Sequence, residues 1–450
     1  MAGMSTEAPN DPASEMVRDF RQLQLAAADV LKPRSPITTE ELFAGRWDEM
    51  TTLADAVSQH GLHVVIYGER GVGKTSLANV VRPVIRVLLD RQRKAESDSG
   101  GVGQPVPERI VIMVNATSGD TFSSIWEKMF ADLTWQDNTP RAGLLPGKPG
   151  AVSVYEAFGM APPLSVDAVR RIISKIPGGL FIIDEFDRAA QTALPNYQTV
   201  GAEFTDLMKA LSDFGVDCTI ILVGVSETVD RLVADHASIN RALVQIQLPR
   251  MDVDELKEIL TKAEDKLGIT FTPEASNLIV NISQGLPHYT HLLGLHAVRI
   301  AAKRFSRMTE QVDVFGALKE AVKQAQQTVT ERYSKATHSA HKEALYRHVL
   351  LACALTAARS HDPLGYFNPA SVAEPLGVIL GKHVEIATFS NHLSEFAQEK
   401  RGEILERAGQ ARAYRFRFRD PLLVPFVFMD AVATGLMDNE QLSEMVGGKF

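Results

Sequence analysis

Two short runs in this 450-residue chain combine residue types and spacing able to do chemistry. Gly68-Glu69-Arg70-Gly71-Val72-Gly73-Lys74-Thr75 fits the pattern G-x-x-x-x-G-K-[ST], with an apolar strand before it and a helical run through Ser76 after it. Glycines at this spacing let main-chain N–H groups wrap phosphate oxygens at a helix N-terminus. Lys74 then reaches the β- and γ-phosphates, and the Thr75 hydroxyl ligates Mg2+. The expected ligand is Mg-ATP, held by residues 68–76. The second run, Leu180-Phe181-Ile182-Ile183-Asp184-Glu185, is an apolar strand that ends on two acids. Buried carboxylates are costly, so such a strand end either serves a site or is a solvated turn. In the first reading Asp184 holds Mg2+ through water and Glu185 orients the attacking water as its base.

These runs need a scaffold, and the chain supplies an alternating one. Apolar strands are expected at His63–Tyr67, Ile110–Asn115, Leu180–Asp184, Thr219–Val225 and Leu243–Leu248, separated by helical stretches such as 46–60. That order predicts an α/β fold with a mostly parallel, doubly wound sheet. Two polar Pro/Gly-rich stretches, near 91–107 and 136–164, interrupt it as long loops. From 253 to about 335 the strands stop, and helices are expected at Asp254–Leu267, Pro273–Gln284, Leu286–Ser306 and Val312–Tyr333. Ahead of the core, residues 1–15 read as disordered and 16–32 as a helix with Met16, Phe20, Leu23, Ala27 and Val30 on one face. That arm either packs on the main domain or docks a partner.

Composition narrows the class. A hydrophobic share of 45% with 23% charged residues fits a soluble globular chain, and 450 residues suggest two to four domains. A net charge of −8 makes the whole chain a poor non-specific DNA binder, so any nucleic-acid contact needs a local basic patch. The two cysteines, Cys218 and Cys353, lie in apolar runs, which argues against a disulfide framework or a zinc site. The N-terminus lacks the apolar core of a signal peptide, and no apolar run reaches the ~20 residues of a membrane span. A cytoplasmic location is expected.

Taken together, the strand, the glycine loop, the Asp-Glu strand and then Thr219-Ile-Ile-Leu-Val-Gly-Val-Ser226 resemble the AAA+ and STAND ATPases, near the origin-recognition and transposon-target branch. The resemblance covers about 41–335 closely and 341–430 loosely. It implies that Ser226, ending the fourth strand, senses the γ-phosphate. It implies that Arg46, in the Gly45-Arg46-Trp47-Asp48-Glu49 segment, borders adenine. It also implies that Arg241, after Ser238-Ile239-Asn240, is an arginine finger serving a neighbouring subunit, with Arg250 the second candidate. The helical lid departs from the AAA+ pattern. Where many members carry an arginine, this chain reads Gln284-Gly285-Leu286-Pro287-His288, similar to the Gly-x-Pro of STAND switches, in which Pro287 would sit by the adenine. That departure favours a nucleotide-gated switch over a fast motor.

The C-terminal part, from about 341, reads as three helices and two strands, the winged-helix layout. The domains expected are an arm over 1–40, a P-loop core over 41–252, a helical lid over 253–338, a winged helix over 339–432 and a tail over 433–450. Arg412 to Arg419 alternates, placing Tyr414, Phe416 and Phe418 on one strand face and Arg415, Arg417 and Arg419 on the other. Seven Lys/Arg against two Asp/Glu over 400–419 make a local basic patch, yet the preceding helix, 385–399, carries Glu385, Glu395 and Glu399 and no Lys or Arg. Phosphate contact through the three arginines and protein contact both stay open. Two functions follow. One is an ATP-driven switch that self-associates and acts through a separately encoded effector, in antiviral defence or mobile-element handling. The other is a DNA-loading or DNA-marking ATPase.

Overall fold

The computed structural model describes residues 12–81, 110–131, 133–135, 144–146, 152–176, 178–192, 199–226, 229, 232–233, 239–339, 344–360, 362, 365–410 and 413–446. The chain divides into two compact units, Pro36–Pro249 and Met1–Ser35 with Arg250–Phe450. The readings for residues 1–11, the stretch 91–107, Ser238 and Arg412 fall outside the described residues.

The first unit is built on five parallel strands: β1 (His63–Gly68), β2 (Val111–Asn115), β3 (Gly179–Asp184), β4 (Cys218–Val225) and β5 (Leu243–Leu248). Their spatial order is β2-β3-β4-β1-β5. All five lie within a residue or two of their expected positions, and every pairing is parallel. β3 is buried along its full length, as the unbroken apolar run Leu180–Ile183 requires of a strand covered on both faces. β1 is capped by burial too, with His63 filling its inner end: Nε2 meets the Met208 carbonyl at 3.0 Å, and Nδ1 accepts from the Ile220 N–H at 3.1 Å.

One aromatic cluster packs beneath β3. Phe204, on helix Val200–Asp213, lies 5.1 Å from Phe122, 6.0 Å from Trp126 and 5.0 Å from Phe186, centroid to centroid. Trp126 in turn meets Phe181 of β3 at 5.3 Å. Helix Val200–Asp213 begins where Thr199 accepts the Ala202 N–H, and helix Phe122–Phe130 begins with a Thr121/Ser124 capping box. Within the stretch 136–164, expected as loop, the described residues include short strands at Leu144–Pro146 and Val152–Ser153, both paired to Leu133–Trp135, and a helix at Val154–Phe158.

The second unit is helical. Helix Pro12–Val30 belongs to it, burying Phe20, Leu23 and Ala27, while Met16 of the expected apolar face is exposed. Phe20 meets Phe305 edge-on at 5.6 Å, and Arg307 pairs with Asp19 at 2.8 Å. Helix Val253–Leu267 is closed at both ends, by an Asp252/Glu255 capping box and by Gly268 in the left-handed region. Two readings of this region need correction. The strands do not stop at 253, because Thr270–Phe271 pairs in parallel with Met308–Thr309. The expected helix Val312–Tyr333 is two helices, Gln311–Lys323 and Gln327–Thr337, broken where Gln326 turns extended, with ψ at 137°. No Pro or Gly marks that break. Buried Asp313 anchors the first of the pair by accepting two bonds from Arg304, at 3.0 and 2.7 Å.

Beyond it come helices Tyr346–Ala358, Pro369–Leu380 and Ile386–Phe396, then an antiparallel hairpin of Leu405–Ala408 with Arg415–Phe418. Leu423–Ala433 is a helix buried almost throughout. Cys218 and Cys353 are both buried and unbridged. Among the described residues no helix is long and apolar enough to cross a membrane.

The aromatic cluster generates one stability prediction. Phe204→Ala removes the ring shared by Phe122, Trp126 and Phe186 and should cost about 3–5 kcal/mol, read as a shifted urea midpoint at unchanged slope. A loss below about 1 kcal/mol would show that the cluster is not the keystone of this unit.

Candidate functional site

Parallel pairing delivers the carboxyl ends of the strands to one edge of the sheet. Gly68 of β1 stands in register with Val225 of β4, and Ile183 of β3 with Leu222 of β4. The loop from Gly68, the acids after Ile183 and Ser226 therefore share that edge, with β4 between the strands that carry the first two. In open α/β sheets this is the edge where ligands bind.

The loop has the backbone that its glycines permit. Gly68, Gly71 and Gly73 hold φ of 153°, 88° and 100°, which side-chain-bearing residues rarely adopt. A Cβ on Gly68 would collide with the Leu248 carbonyl oxygen. Val72 is buried and packs the loop down, and residues 74–81 are helical. Lys74 is only 8% exposed, and its Nζ donates to the Gly68 and Glu69 carbonyls at 3.1 and 2.7 Å. The ammonium thus sits inside the loop. Ser76 Oγ accepts the Ile37 N–H at 3.1 Å, which ties the entry segment of the unit to the helix.

The acids occupy a strained turn. Asp184 is buried, and its Oδ1 accepts the Glu185 N–H at 2.8 Å. Glu185 itself adopts φ of 53°, a left-handed conformation costing on the order of 1 kcal/mol or more for a non-glycine residue. Its Oε2 pairs with Arg188 Nη1 at 2.9 Å. Ser226 is buried just past the end of β4.

Asp187 is the residue that sequence reading missed. Its Oδ1 accepts the Val225 N–H at 2.8 Å, and its charge acts on Lys74 more strongly than that of Asp184. The signal available was a third acid two positions beyond Glu185, and it reads equally as a solvated helix start.

The remaining arginine candidates are held by bonds of their own. Arg46 is buried in a left-handed conformation, donating through Nη1 to Glu49 at 3.2 Å and through Nη2 to the Pro249 carbonyl. It ties the start of helix Trp47–Ser58 to the end of this unit. Arg241 precedes β5, whereas the glycine loop follows β1, its parallel neighbour. The sheet's length, about 17–20 Å for six residues, separates them within one chain. Arg241 is 81% exposed and pairs with Asp213 at 2.7 Å. Pro287 is the first residue of helix Pro287–Lys303 in the helical unit. Ahead of it, Gln284 and Gly285 are both left-handed, and a Cβ on Gly285 would lie 2.9 Å from the Met251 carbonyl oxygen. Arg250 donates to the Gln284 carbonyl at 3.3 Å. His288 Nδ1 donates to the Pro33 carbonyl at 2.6 Å, the ordinary role of a satisfied histidine.

The three hairpin arginines project as the alternation predicts, with Phe416 and Phe418 buried behind them. Each meets an acid of its own chain: Arg415 with Asp362 at 3.3 Å, Arg417 with Glu406 at 2.8 Å and Arg419 with Glu403 at 3.3 Å.

This arrangement fits a polyanion. A buried ammonium and a glycine-shaped backbone are suited to phosphate oxygens, and a buried carboxylate stands at the same sheet edge, suited to a hydrated divalent cation. Burial lowers the Lys74 pKa from 10.5 to about 8, opposed in part by Asp187, Asp184 and Glu69. Between those values the unfolded chain holds a proton that the folded chain has lost, so the contribution of Lys74 to stability rises with pH across that window. Phosphate, in contrast, needs the protonated form. ATP affinity should therefore fall as pH rises through about 8, with proton uptake on binding, measured by calorimetry in two buffers of different ionisation enthalpy. Affinity and proton count that stay flat from pH 7 to 9 would contradict the assignment (about one unit either side of the Lys74 value).

Residues 37–362 match the family described as novel STAND NTPase 1. No curated protein matches the sequence. Similar solved structures include the ORC1 protein of Aeropyrum pernix in complex with DNA, 18% identical, TM-score 0.43, covering 89% of this chain and 94% of that one. The ORC2 protein of the same organism, in ADPNP–ADP complexes, is 15% identical at TM-score 0.46, covering 92% and 99%. A Walker-type ATPase of Pyrococcus abyssi is 15% identical at TM-score 0.44, covering 88% and 98%. Likenesses of that order say nothing about ligand or partner. The family match is of a different weight: extending over well more than half of the sequence, it makes this chain a member of the novel STAND NTPase 1 family.

Proposed function

We propose that the protein is a slow, partner-regulated ATPase that works as a molecular switch, assembling with itself or a partner when Mg-ATP is bound. The observation that carries this reading is the enclosure of Lys74 in the glycine loop, on the edge where the acid-ended strand also terminates. In this reading Gly68 to Gly73 present main-chain N–H groups to the phosphates, and Lys74 neutralises the β- and γ-oxygens. Thr75 and Asp184 hold Mg2+, Asp184 through water. Glu185 orients the attacking water, and Ser226 reads the γ-phosphate. Bound Mg-ATP supplies a phosphoanhydride bond whose cleavage resets the switch. Arg241, at the opposite sheet edge, serves a second copy's site, which makes assembly a condition of turnover.

The helices and hairpin over 346–418 follow the element order of a winged helix, and we read them as one. The effector is a separate protein, in a setting of antiviral defence or mobile-element handling. The DNA-loading reading has less support. Its arginines are already matched by Asp362, Glu406 and Glu403, so phosphates would have to displace acids of the same chain. A protein-docking hairpin needs no such exchange.

Lys74→Ala should abolish binding of a fluorescent ATP analogue, whereas Glu185→Gln should bind normally and release almost no phosphate. Equal affinity in wild type and Lys74→Ala would sink the site assignment. Arg241→Ala should also bind ATP normally and lose turnover. Mixed with Glu185→Gln protein it should regain some, because each mixed interface can pair an intact acid with an intact arginine. Full activity of Arg241→Ala alone, or of a strictly monomeric wild type, would remove the finger.

A further inference from the structure

β3 stops pairing as a strand at Asp184, yet the chain after it does not let go of β4. Phe186 donates its N–H to the Val223 carbonyl at 2.8 Å. One residue on, the Asp187 carboxylate takes the place of a main-chain acceptor: Oδ1 receives the Val225 N–H at 2.8 Å. The left-handed turn at Glu185 breaks the ladder, and these two bonds resume it beyond the turn. Gly224, between the two rungs, is where the carboxylate crosses. A Cβ there would lie 3.1 Å from both Asp187 N and Oδ1 and 2.7 Å from a Leu232 methyl. Val225 is the last residue of β4, and Ser226 follows it directly.

We propose that Asp187 is a positioning residue for ATP hydrolysis, locking the end of β4 to the turn that carries Glu185. Through that lock Ser226 and Glu185 keep a fixed spacing, so a displacement of either by phosphate is passed to the other. The inference rests on the hydrolytic roles proposed above for those two residues. Simple capping of the short helix Asp187–Ala190 does not account for it, because the bonded N–H belongs to β4 and not to that helix. The acceptor oxygen matters here more than the charge, so asparagine, which keeps an oxygen at the same place, is the informative replacement.

The test compares Asp187→Ala, Asp187→Asn and Glu185→Gln with wild type. Asp187→Ala should lower kcat about tenfold to hundredfold, the cost of misplacing a reacting group by roughly an ångström, and leave ATP affinity within about threefold. Asp187→Asn should restore most of the rate. In the free protein, amide exchange at Val225 should speed up in the alanine variant and stay slow in the asparagine variant, a readout independent of turnover. Wild-type kcat or unchanged Val225 exchange in Asp187→Ala would overturn the proposal. So would an Asn variant as slow as the Ala variant, which would make the charge and not the bond responsible. Should Glu185→Gln hydrolyse ATP normally, the reading of the whole site fails and this one with it. Should Glu185→Gln be inactive while Asp187→Ala is normal, only the positioning role fails.

Discussion

A buried ammonium is the constraint around which the loop-bearing edge of the sheet is organised. Lys74 is nearly closed off from water, and an unpaired charge there would be expelled or neutralised. Its partners are two main-chain carbonyls of its own loop and the carboxylates of Asp187 and Asp184, just beyond and at the end of β3. Those carboxylates are in reach because β1, β4 and β3 run parallel in the stated register. In a sheet the side-chain period is two, so a one-residue slip of β3 would turn Asp184 toward the opposite face. Strand order, register and charge balance are thus one requirement.

The apolar core serves that requirement directly. Phe186 sits between Glu185 and Asp187 in sequence, and its ring packs on Phe204, which also holds Phe122 and Trp126. The strained acid turn is therefore riveted to that aromatic cluster. A left-handed non-glycine turn persists only where its surroundings over-determine it, and the cluster is the means. The buried Arg46, bonded to Glu49 and to the Pro249 carbonyl, does comparable service at the margin of the unit.

Local backbone form and burial were legible in the sequence, and long-range pairing was not. The glycine loop and the acid-ended strand announce themselves because spacing alone makes backbone or burial demands. The five strands were equally plain, since each is a short, largely apolar run. Asp187 escaped because its partner, the Val225 N–H, is 38 residues away. The arginine alternation was read correctly, but the acids that meet it come from Asp362, Glu403 and Glu406, placed there by hairpin register and a distant loop. The break between Lys323 and Gln327 carries no Gly or Pro, so helix propensity ran straight through it.

The separation of Arg241 from its own glycine loop has a counting consequence. A finger-to-loop contact between copies can close reciprocally in a two-fold dimer when both features share one face, and when they do not it repeats head-to-tail into rows or rings. Under the proposed assembly, an open row of such copies always leaves one terminal loop without a finger and one terminal finger without a loop. Every row then hydrolyses one ATP fewer per round than it binds, and the uncompleted site stays loaded longest. Closing the row into a ring removes the exception. The same two surfaces would thus give an open assembly a persistent ATP-bound end and a closed one none, so that geometry alone sets how long the signal lasts.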